Sequence, residues 1–233
     1  MIEALSISQD DRVVEFAPGM GVTAQLVLRK KPAQYWGVER DPAAAKRLEA
    51  LLPKGTAQII AAQAEHSGIP SMCASVVYGE AMLSMQTPEQ KKRILSEAQR
   101  ILAVGGRYGI HEICFRPDEI SGRTRREIQA EMSKEIHVGV QPLSCSEWRE
   151  LFEHNGLKVV WCGEADLELL EPLRMLQDEG MVRCLKIAFN VAKDSLLRQR
   201  ILAIRRIFRR YREHLGAVSI VGLRTEEIAS LDS

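Results

Sequence analysis

The chain has no strong net charge, few aromatic residues and no long apolar run. Its 32 Lys and Arg residues nearly balance 31 Asp and Glu residues, which leaves a formal net charge of +1 at pH 7. No bulk positive field is therefore present to attract nucleic acid. Aromatic side chains make up only 5% of the sequence. Without a secretory leader or an apolar run, the sequence argues against secretion and against a membrane span.

The cysteines form no metal-binding or redox motif. There are five, an odd number, without a Cys-x-x-Cys or Cys/His spacing: Cys73, Cys114, Cys145, Cys162 and Cys184. We expect reduced thiols in a cytoplasmic protein, with neither a disulfide framework nor a zinc site.

The remaining composition is typical of one globular domain. Hydrophobic residues make up 45% of the 233 residues and charged residues 27%, which are globular proportions. A chain of this length can bury one sizeable core, and no internal repeat or low-complexity segment divides it. We therefore expect a single domain over residues 1–233.

The most informative segment lies near the start of the chain. An apolar strand at residues 12–16 leads into a turn containing Pro18, Gly19 and Gly21, and an amphipathic segment follows at 22–30. This strand–turn–helix unit opens nucleotide-binding α/β domains. The two glycines lack a Cβ, so they allow unusual backbone angles and close approach of a ligand. Pro18 stiffens the turn.

An acidic residue precedes this turn and points to the kind of ligand. Glu15 would repel a pyrophosphate but suits a cationic ligand. The stretch Glu-Phe-Ala-Pro-Gly-Met-Gly at 15–21 resembles motif I of the class I S-adenosylmethionine (SAM) methyltransferases, an acid followed by alternating glycines. Ala17 stands where that family most often has glycine, and alanine is tolerable there if its φ stays negative. The alternative interpretation is an ordinary βα turn.

A second acid follows at the spacing expected of a ribose-binding residue. The next strand is predicted at 35–39 and ends at Glu39, about 20 residues after the glycine turn, where an acid holds a ribose diol in this architecture. Asp41 is a suitable N-cap and Pro42 a suitable first residue for the helix that follows. The alternative for Glu39 is a surface carboxylate at a strand end.

Strands and helices continue to alternate along the chain, which predicts a parallel sheet. Gln63 and Ala64 follow the third strand, at the place where the resemblance implies an adenine contact; the family usually has Asp-Ala there. The resemblance implies an α/β fold, namely a doubly wound, seven-stranded, Rossmann-like methyltransferase sheet whose last strand lies antiparallel beside the sixth. The remaining strands are predicted at 57–61, 74–80, 107–113, 157–162 and 215–223.

Two insertions are expected to form a helical lid. Because only residues 1–10 precede the first strand, we expect the pocket to be covered by 115–143, by 167–213 or by a partner subunit. The second insertion contains an arginine-rich amphipathic helix at 198–212, with an apolar stripe of Ile201, Ile204, Phe208 and Tyr211. Its basic face has three interpretations: a solvated outer surface, a site for an anionic substrate or acidic partner, and a nucleic-acid or membrane surface. The lid helices also suggest a homodimer.

The candidate catalytic residues lie at the ends of strands four and five. Methyl transfer is an in-line displacement, and a base is needed only when the acceptor is protonated. His111 is the candidate base, with a structural histidine as the alternative. Glu80 could bind the SAM amino group or orient a substrate, and His137 is a further polar candidate. No metal site is expected, because the spacing of Glu80, His111, Glu112 and His137 matches no compact motif.

The resemblance implies transfer of a methyl group from SAM to a small molecule. Segments 80–86 and 107–112 are similar to the ubiquinone/menaquinone-methyltransferase-like group, which names no substrate. One alternative is an RNA methyltransferase that uses the arginine-rich helix, although the aromatic clamps and strong basic charge that would favour it are missing. Another is a non-catalytic SAM-binding protein.

Overall fold

A computed structural model describes residues 1–53, 55–167 and 195–226 of the chain. The helices are α1 (Val22–Leu28), α2 (Pro42–Leu51), α3 (Pro88–Ile101), α4 (Gly122–Ile136), α5 (Cys145–Glu153) and α6 (Ser195–Arg210). The strands are β1 (Arg12–Phe16), β2 (Gln34–Glu39), β3 (Ala57–Ala61), β4 (Ala74–Glu80), β5 (Leu102–Phe115), β6 (Leu143–Ser144), β7 (Leu157–Asp166) and β8 (Leu215–Arg224).

These strands form one mixed sheet in the order β3-β2-β1-β4-β5-β8-β7. Strands β1 to β5 run parallel to one another, whereas β8 runs antiparallel between β5 and β7. The predicted doubly wound sheet with an antiparallel last strand is confirmed. The short strand β6 lies outside this order and pairs with the end of β5. At two residues it is too short to produce a hydrophobic period, so the sequence analysis missed it.

Two apolar layers cover the two faces of the sheet. Successive side chains of a strand point to opposite faces, so Val14 and Phe16 of β1 belong to one cluster and Val13 to the other. The first cluster also buries Trp148, together with a stacked pair of rings, Tyr108 and Phe152, whose centroids are 5.3 Å apart. The core therefore holds the β1–β4–β5 centre of the sheet rigidly.

Helix starts follow the predicted capping residues. The Asp41 side chain accepts a hydrogen bond from the Ala43 N–H at 2.9 Å, and Pro42 is the first residue of α2. Ser144 and Glu147 form a capping box at the start of α5. The predicted start of the fifth strand at residue 107 was wrong. Strand β5 begins at Leu102, directly after α3.

Helices α4 and α6 pack on each other beside the end of β5. Ile204, Phe208 and Tyr211 of the predicted apolar stripe join a cluster with Ile128 and Met132 of α4. The stripe is therefore covered from within the chain. The Ile201 side chain and residues 168–194 of the second insertion lie outside the described residues. Within the part of the chain that the structure describes, no helix is long and apolar enough to cross a membrane.

Candidate functional site

A cleft of about 400 Å³ opens at the carboxyl ends of β1, β2, β3 and β4. Ligands bind at this edge in open α/β sheets. The lining residues come from the loops after these four strands, from α3 and from the segment after α4. They are Ala17, Gly19, Val38, Glu39, Arg40, Ala62, Gln63, Ala64, Glu65, Glu80, Ala81, Met82, Met85, Gln86, Gln90, Ile94 and Val138.

The glycine turn has the backbone angles that the sequence suggested. Gly19 and Gly21 have φ values of +53° and +73°, a backbone region that residues with a side chain rarely adopt. A Cβ on Gly21 would also lie 2.7 Å from Cδ2 of Leu48. The Gly21 N–H donates to the Pro18 carbonyl at 2.8 Å, which closes the turn. The turn thus brings the backbone of Gly19 to the cleft.

Ala17 departs from the condition set by the sequence analysis. The condition was a negative φ, whereas Ala17 has a φ of +54°. An alanine in this left-handed region costs roughly 1–2 kcal/mol. Its N–H donates to the Val38 carbonyl at 2.9 Å, which fixes the strained residue against β2.

Glu39 lies where β2 meets the glycine turn. Its side chain is buried, with 8% exposure, and it lines the cleft. One carboxylate oxygen accepts the Asp41 N–H at 3.1 Å, and the other faces the Gly19 N–H at 3.4 Å. The 3.4 Å contact is long for a hydrogen bond, so this oxygen can turn to a ligand hydroxyl.

The other predicted cofactor contacts gather around the same cleft. Gln63 and Ala64 line it after β3, and Glu80 lines it at the end of β4. Glu80 accepts a hydrogen bond from the Thr23 hydroxyl at 2.8 Å, which joins β4 to the first turn of α1. With Glu39 and Glu80, acidic side chains line the cleft from the ends of β2 and β4, the strands on either side of β1.

Glu15 lies in the core rather than among the residues lining the cleft. Its Oε2 accepts hydrogen bonds from the hydroxyls of Tyr35 and Tyr78, the latter at 2.5 Å. Burial, with a smaller contribution from the nearby Glu80, raises the pKa of Glu15 to about 7 against the opposing effect of the two tyrosine hydroxyls. Glu15 can therefore change its charge near neutral pH.

Solved structures show the fold of this arrangement. The MccD protein superposes with a TM-score of 0.71 at 15% identity, covering 96% of this chain and 94% of that protein. Geranyl diphosphate C-methyltransferase from Streptomyces coelicolor A3(2), solved with Mg²⁺, geranyl diphosphate and S-adenosyl-L-homocysteine, has a TM-score of 0.70 at 16% identity. That match covers 96% of this chain and 75% of that enzyme.

Sequence comparison gives the family. Residues 14–110 match a methyltransferase domain family, and this range runs from within β1 through β4, so it includes the carboxyl ends of the four strands at the cleft. An uncharacterized protein of Haemophilus influenzae is 31% identical over 190 residues, which cover 80% of this chain and 74% of that protein. Residues 14–110 therefore form a methyltransferase domain, and the fold is that of the class I methyltransferases. The chain is thus an enzyme of SAM-dependent methyl transfer.

The structure brings together two of the three residues predicted to be catalytic in this methyltransferase and places the third apart from them. Glu80 and His111 are register partners on β4 and β5, so they lie side by side. The His111 Nδ1 is 2.7 Å from the Ser219 hydroxyl of β8. His137 is exposed at the end of α4, where its Nδ1 lies 2.6 Å from the Lys134 carbonyl oxygen. Its neighbour Val138, rather than His137, lines the cleft.

The sequence analysis missed the role of Glu112 and gave no role to Lys91. Both are 2% exposed and contact the loop after β4. The available signal was an acid at a strand position that shares a face with the buried Tyr108 and Ile110. Among the residues that the structure describes, no group of three or more His, Cys, Asp and Glu side chains is placed to hold a metal ion. Cys145 and Cys162, distant in sequence, have their Sγ atoms 3.4 Å apart as free thiols.

Proposed function

We propose that this methyltransferase binds SAM in the cleft and transfers its methyl group to a small-molecule acceptor. The observation that carries the proposal is the meeting of the glycine turn, Glu39, Gln63 and Glu80 at one cleft. The carboxylates of Glu39 and Glu80 favour a cationic ligand over a dinucleotide pyrophosphate. SAM carries a sulfonium and an ammonium group, so its charge matches this lining.

Each part of SAM has a proposed partner. Glu39 accepts hydrogen bonds from the ribose hydroxyls, Gln63 and Ala64 contact the adenine, and Glu80 binds the amino group. The turn at 17–21 presents backbone to the methionine portion. During the reaction, the acceptor's lone pair forms a bond to the methyl carbon while the sulfonium carbon–sulfur bond breaks. S-adenosylhomocysteine (SAH) is the leaving group, and alignment of the two partners supplies much of the rate.

His111 is the proposed group that orients the acceptor or removes its proton. It lies beside Glu80 in register, at the end of the sheet where β5 follows the cleft-lining strand β4. Its hydrogen-bonding distance to Ser219 fixes the ring. A base is required only if the acceptor atom carries a proton in the ground state, so His111 is an orienting group for an unprotonated acceptor.

A small-molecule acceptor is supported by two observations. The similar enzyme from Streptomyces coelicolor was solved with geranyl diphosphate, a small molecule. The alternative, RNA methylation by the helix at 198–212, needs free basic side chains. One of these side chains, that of Arg210, is engaged within the chain: it forms an ion pair with Glu131 of α4 at 2.9 Å, and the Tyr211 hydroxyl donates to the same carboxylate at 3.2 Å. The ubiquinone/menaquinone-like subgroup and a cytoplasmic location stay proposals.

Calorimetric titration with SAM, SAH and NAD tests the proposal. We expect binding of SAM and SAH and no binding of NAD. Methyl transfer is then tested by incubating the protein with methyl-labelled SAM and pools of small molecules or total RNA. Binding of NAD without SAM would refute the cofactor site. Label incorporated into RNA and not into small molecules would favour the alternative acceptor.

A further inference from the structure

One wall of the cleft is a short segment that cannot hold its own shape. Met82, Met85 and Gln86 line the cleft, and they flank a single 3-10 turn at Leu83–Met85. Its internal backbone hydrogen bonds run from Met85 to Met82 at 3.3 Å and from Gln86 to Leu83 at 3.0 Å. One isolated turn fixes many dihedral angles for few hydrogen bonds, so external contacts must define this wall.

A buried carboxylate holds the first half of the wall. Glu112 of β5 accepts three consecutive backbone N–H groups: Met82 at 2.9 Å, Leu83 at 2.7 Å and Ser84 at 3.0 Å. It also accepts the Ser84 hydroxyl at 2.7 Å. Burial raises the pKa of Glu112, and these four donors oppose that rise. The Glu112 carboxylate therefore lies where the turn presents its free N–H groups.

A buried ammonium group holds the other half. Lys91 of α3 donates to the Gln86 carbonyl at 2.9 Å and to the Gln141 carbonyl at 2.8 Å. Its Nζ also lies 5.7 Å from the ring centroid of Trp148, within the range of a cation–π contact. Burial lowers the pKa of Lys91 to about 8, while the field of Glu112 opposes that shift. The positive charge therefore lies where the turn presents its free carbonyls.

Lys91 also connects the wall to the segment that follows α4. Gln141, its second partner, donates its N–H to the Ser84 carbonyl at 2.7 Å. The same segment after α4 carries Val138, which also lines the cleft. A substitution of Lys91 therefore affects both the wall and the segment after α4.

We propose that Glu112 and Lys91 are positioning residues that clamp the 82–86 wall between two buried opposite charges and so set the width of the cofactor cleft. Neither side chain lines the cleft, so both act through the backbone that they hold. The inference rests on the proposed function only for the identity of the ligand, SAM or SAH. The clamp itself is a property of the unliganded protein.

Lys91→Met tests the clamp, with Lys92→Met as the matched control because Lys92 is exposed on the same helix. The methionine leaves the Gln86 and Gln141 carbonyls without their ammonium donor, so the wall should loosen. We expect about tenfold weaker SAH binding by calorimetry and about tenfold faster hydrogen exchange at the amides of 82–86. Exchange in β1 and β4 should be unchanged, and Lys92→Met should match the wild type in both measurements.

A pH series separates the charge of Lys91 from its packing. Glu112 on β5 is the charged group facing Lys91, with Tyr108 beside it; α5 contributes the uncharged Trp148. As Lys91 loses its proton between pH 7 and 9, the wild type should lose part of its advantage over Lys91→Met. A smaller affinity ratio at pH 9 than at pH 7 supports the clamp. A constant ratio would assign Lys91 to packing alone.

Two further outcomes keep the clamp distinct from the proposed function. If the wild type does not bind SAH, the proposed function fails, and the exchange of 82–86 in the unliganded protein still decides the clamp. If Lys91→Met does not fold, Glu112→Gln and the exchange of the wild type between pH 7 and 9, corrected for intrinsic rates, replace it. Unchanged exchange at 82–86 in every comparison would overturn the proposal.

Discussion

At the scale of single residues, Glu39 is the side chain on which cofactor affinity should depend most directly. Its carboxylate lies at the cleft between two backbone N–H groups, and a charged acceptor buried beside a diol makes a strong hydrogen bond. Glu39→Ala should lose about 1.5–3 kcal/mol of SAM binding, or roughly 10–150-fold in affinity. Titration calorimetry measures this, with the exposed Glu49→Ala as control. Equal SAM affinity in folded Glu39→Ala would place the ribose elsewhere.

His111 presents a different expectation, because its proposed role concerns the acceptor. Once an acceptor is known, His111→Ala should lower turnover by ~10²–10⁴-fold while the affinity for SAM stays near that of the wild type. Ser219→Ala, which removes the ring's 2.7 Å partner, should cause a smaller loss of the same kind. A purely structural histidine would behave differently: the alanine variant would melt earlier and lose SAM binding and turnover together.

At the scale of elements, patterns with strong local signals were predictable. The glycine turn, the Asp41 cap and the Ser144 capping box depend on neighbours in sequence, so their residue types identify them. The position of Glu15 was not predictable, because its environment is made by Tyr35 and Tyr78 from two other strands. The clamp was missed for the same reason: Glu112 meets the 82–84 backbone about 30 positions away along the chain.

The apolar contact between α4 and α6 can be tested by substitution. Ile204 and Phe208 pack into the cluster with Ile128 and Met132, and Phe208 is 9% exposed. Placing two carboxylates there removes apolar burial and buries charge. Ile204→Asp with Phe208→Asp should lower the melting temperature by roughly 10 °C or more.

Leu202→Asp is the matched control for that pair. Leu202 lies on the same helix but is 47% exposed, so its replacement should change little. Light scattering on the same proteins tests the proposed homodimer through the lid helices, because a double variant that halves the mass would place an interface there. A double variant with unchanged mass, melting temperature and SAM affinity would show that α6 is neither lid nor interface.

At the scale of the whole molecule, different buried carboxylates change the free energy of unfolding in opposite directions as the pH changes. Asp11 and Glu97 have lowered pKa values, because ion pairs and hydrogen bonds outweigh their burial. Their stabilising contributions are present above the unfolded pKa and disappear as the pH falls. Glu15 has the reverse sign, since burial raises its pKa from 4.5 to about 7. Its protonated form is the one that the fold favours.

Replacing Glu15 therefore predicts a pH-dependent change in global stability. The stabilising contribution of Glu15 is fully present below about pH 4.5 and is lost as the pH rises through about 7, because the folded protein then holds a buried charge. Glu15→Gln keeps an oxygen for Tyr35 and Tyr78 but never ionises. Relative to the wild type, this variant should gain stability between pH 5 and pH 8, on the order of 2–3 kcal/mol. Urea unfolding of both proteins at the two pH values measures the difference, from which the contributions of Asp11 and Glu97 cancel. A difference that is the same at both pH values would show that Glu15 does not titrate in this range, and its charge would then be constant wherever SAM binds.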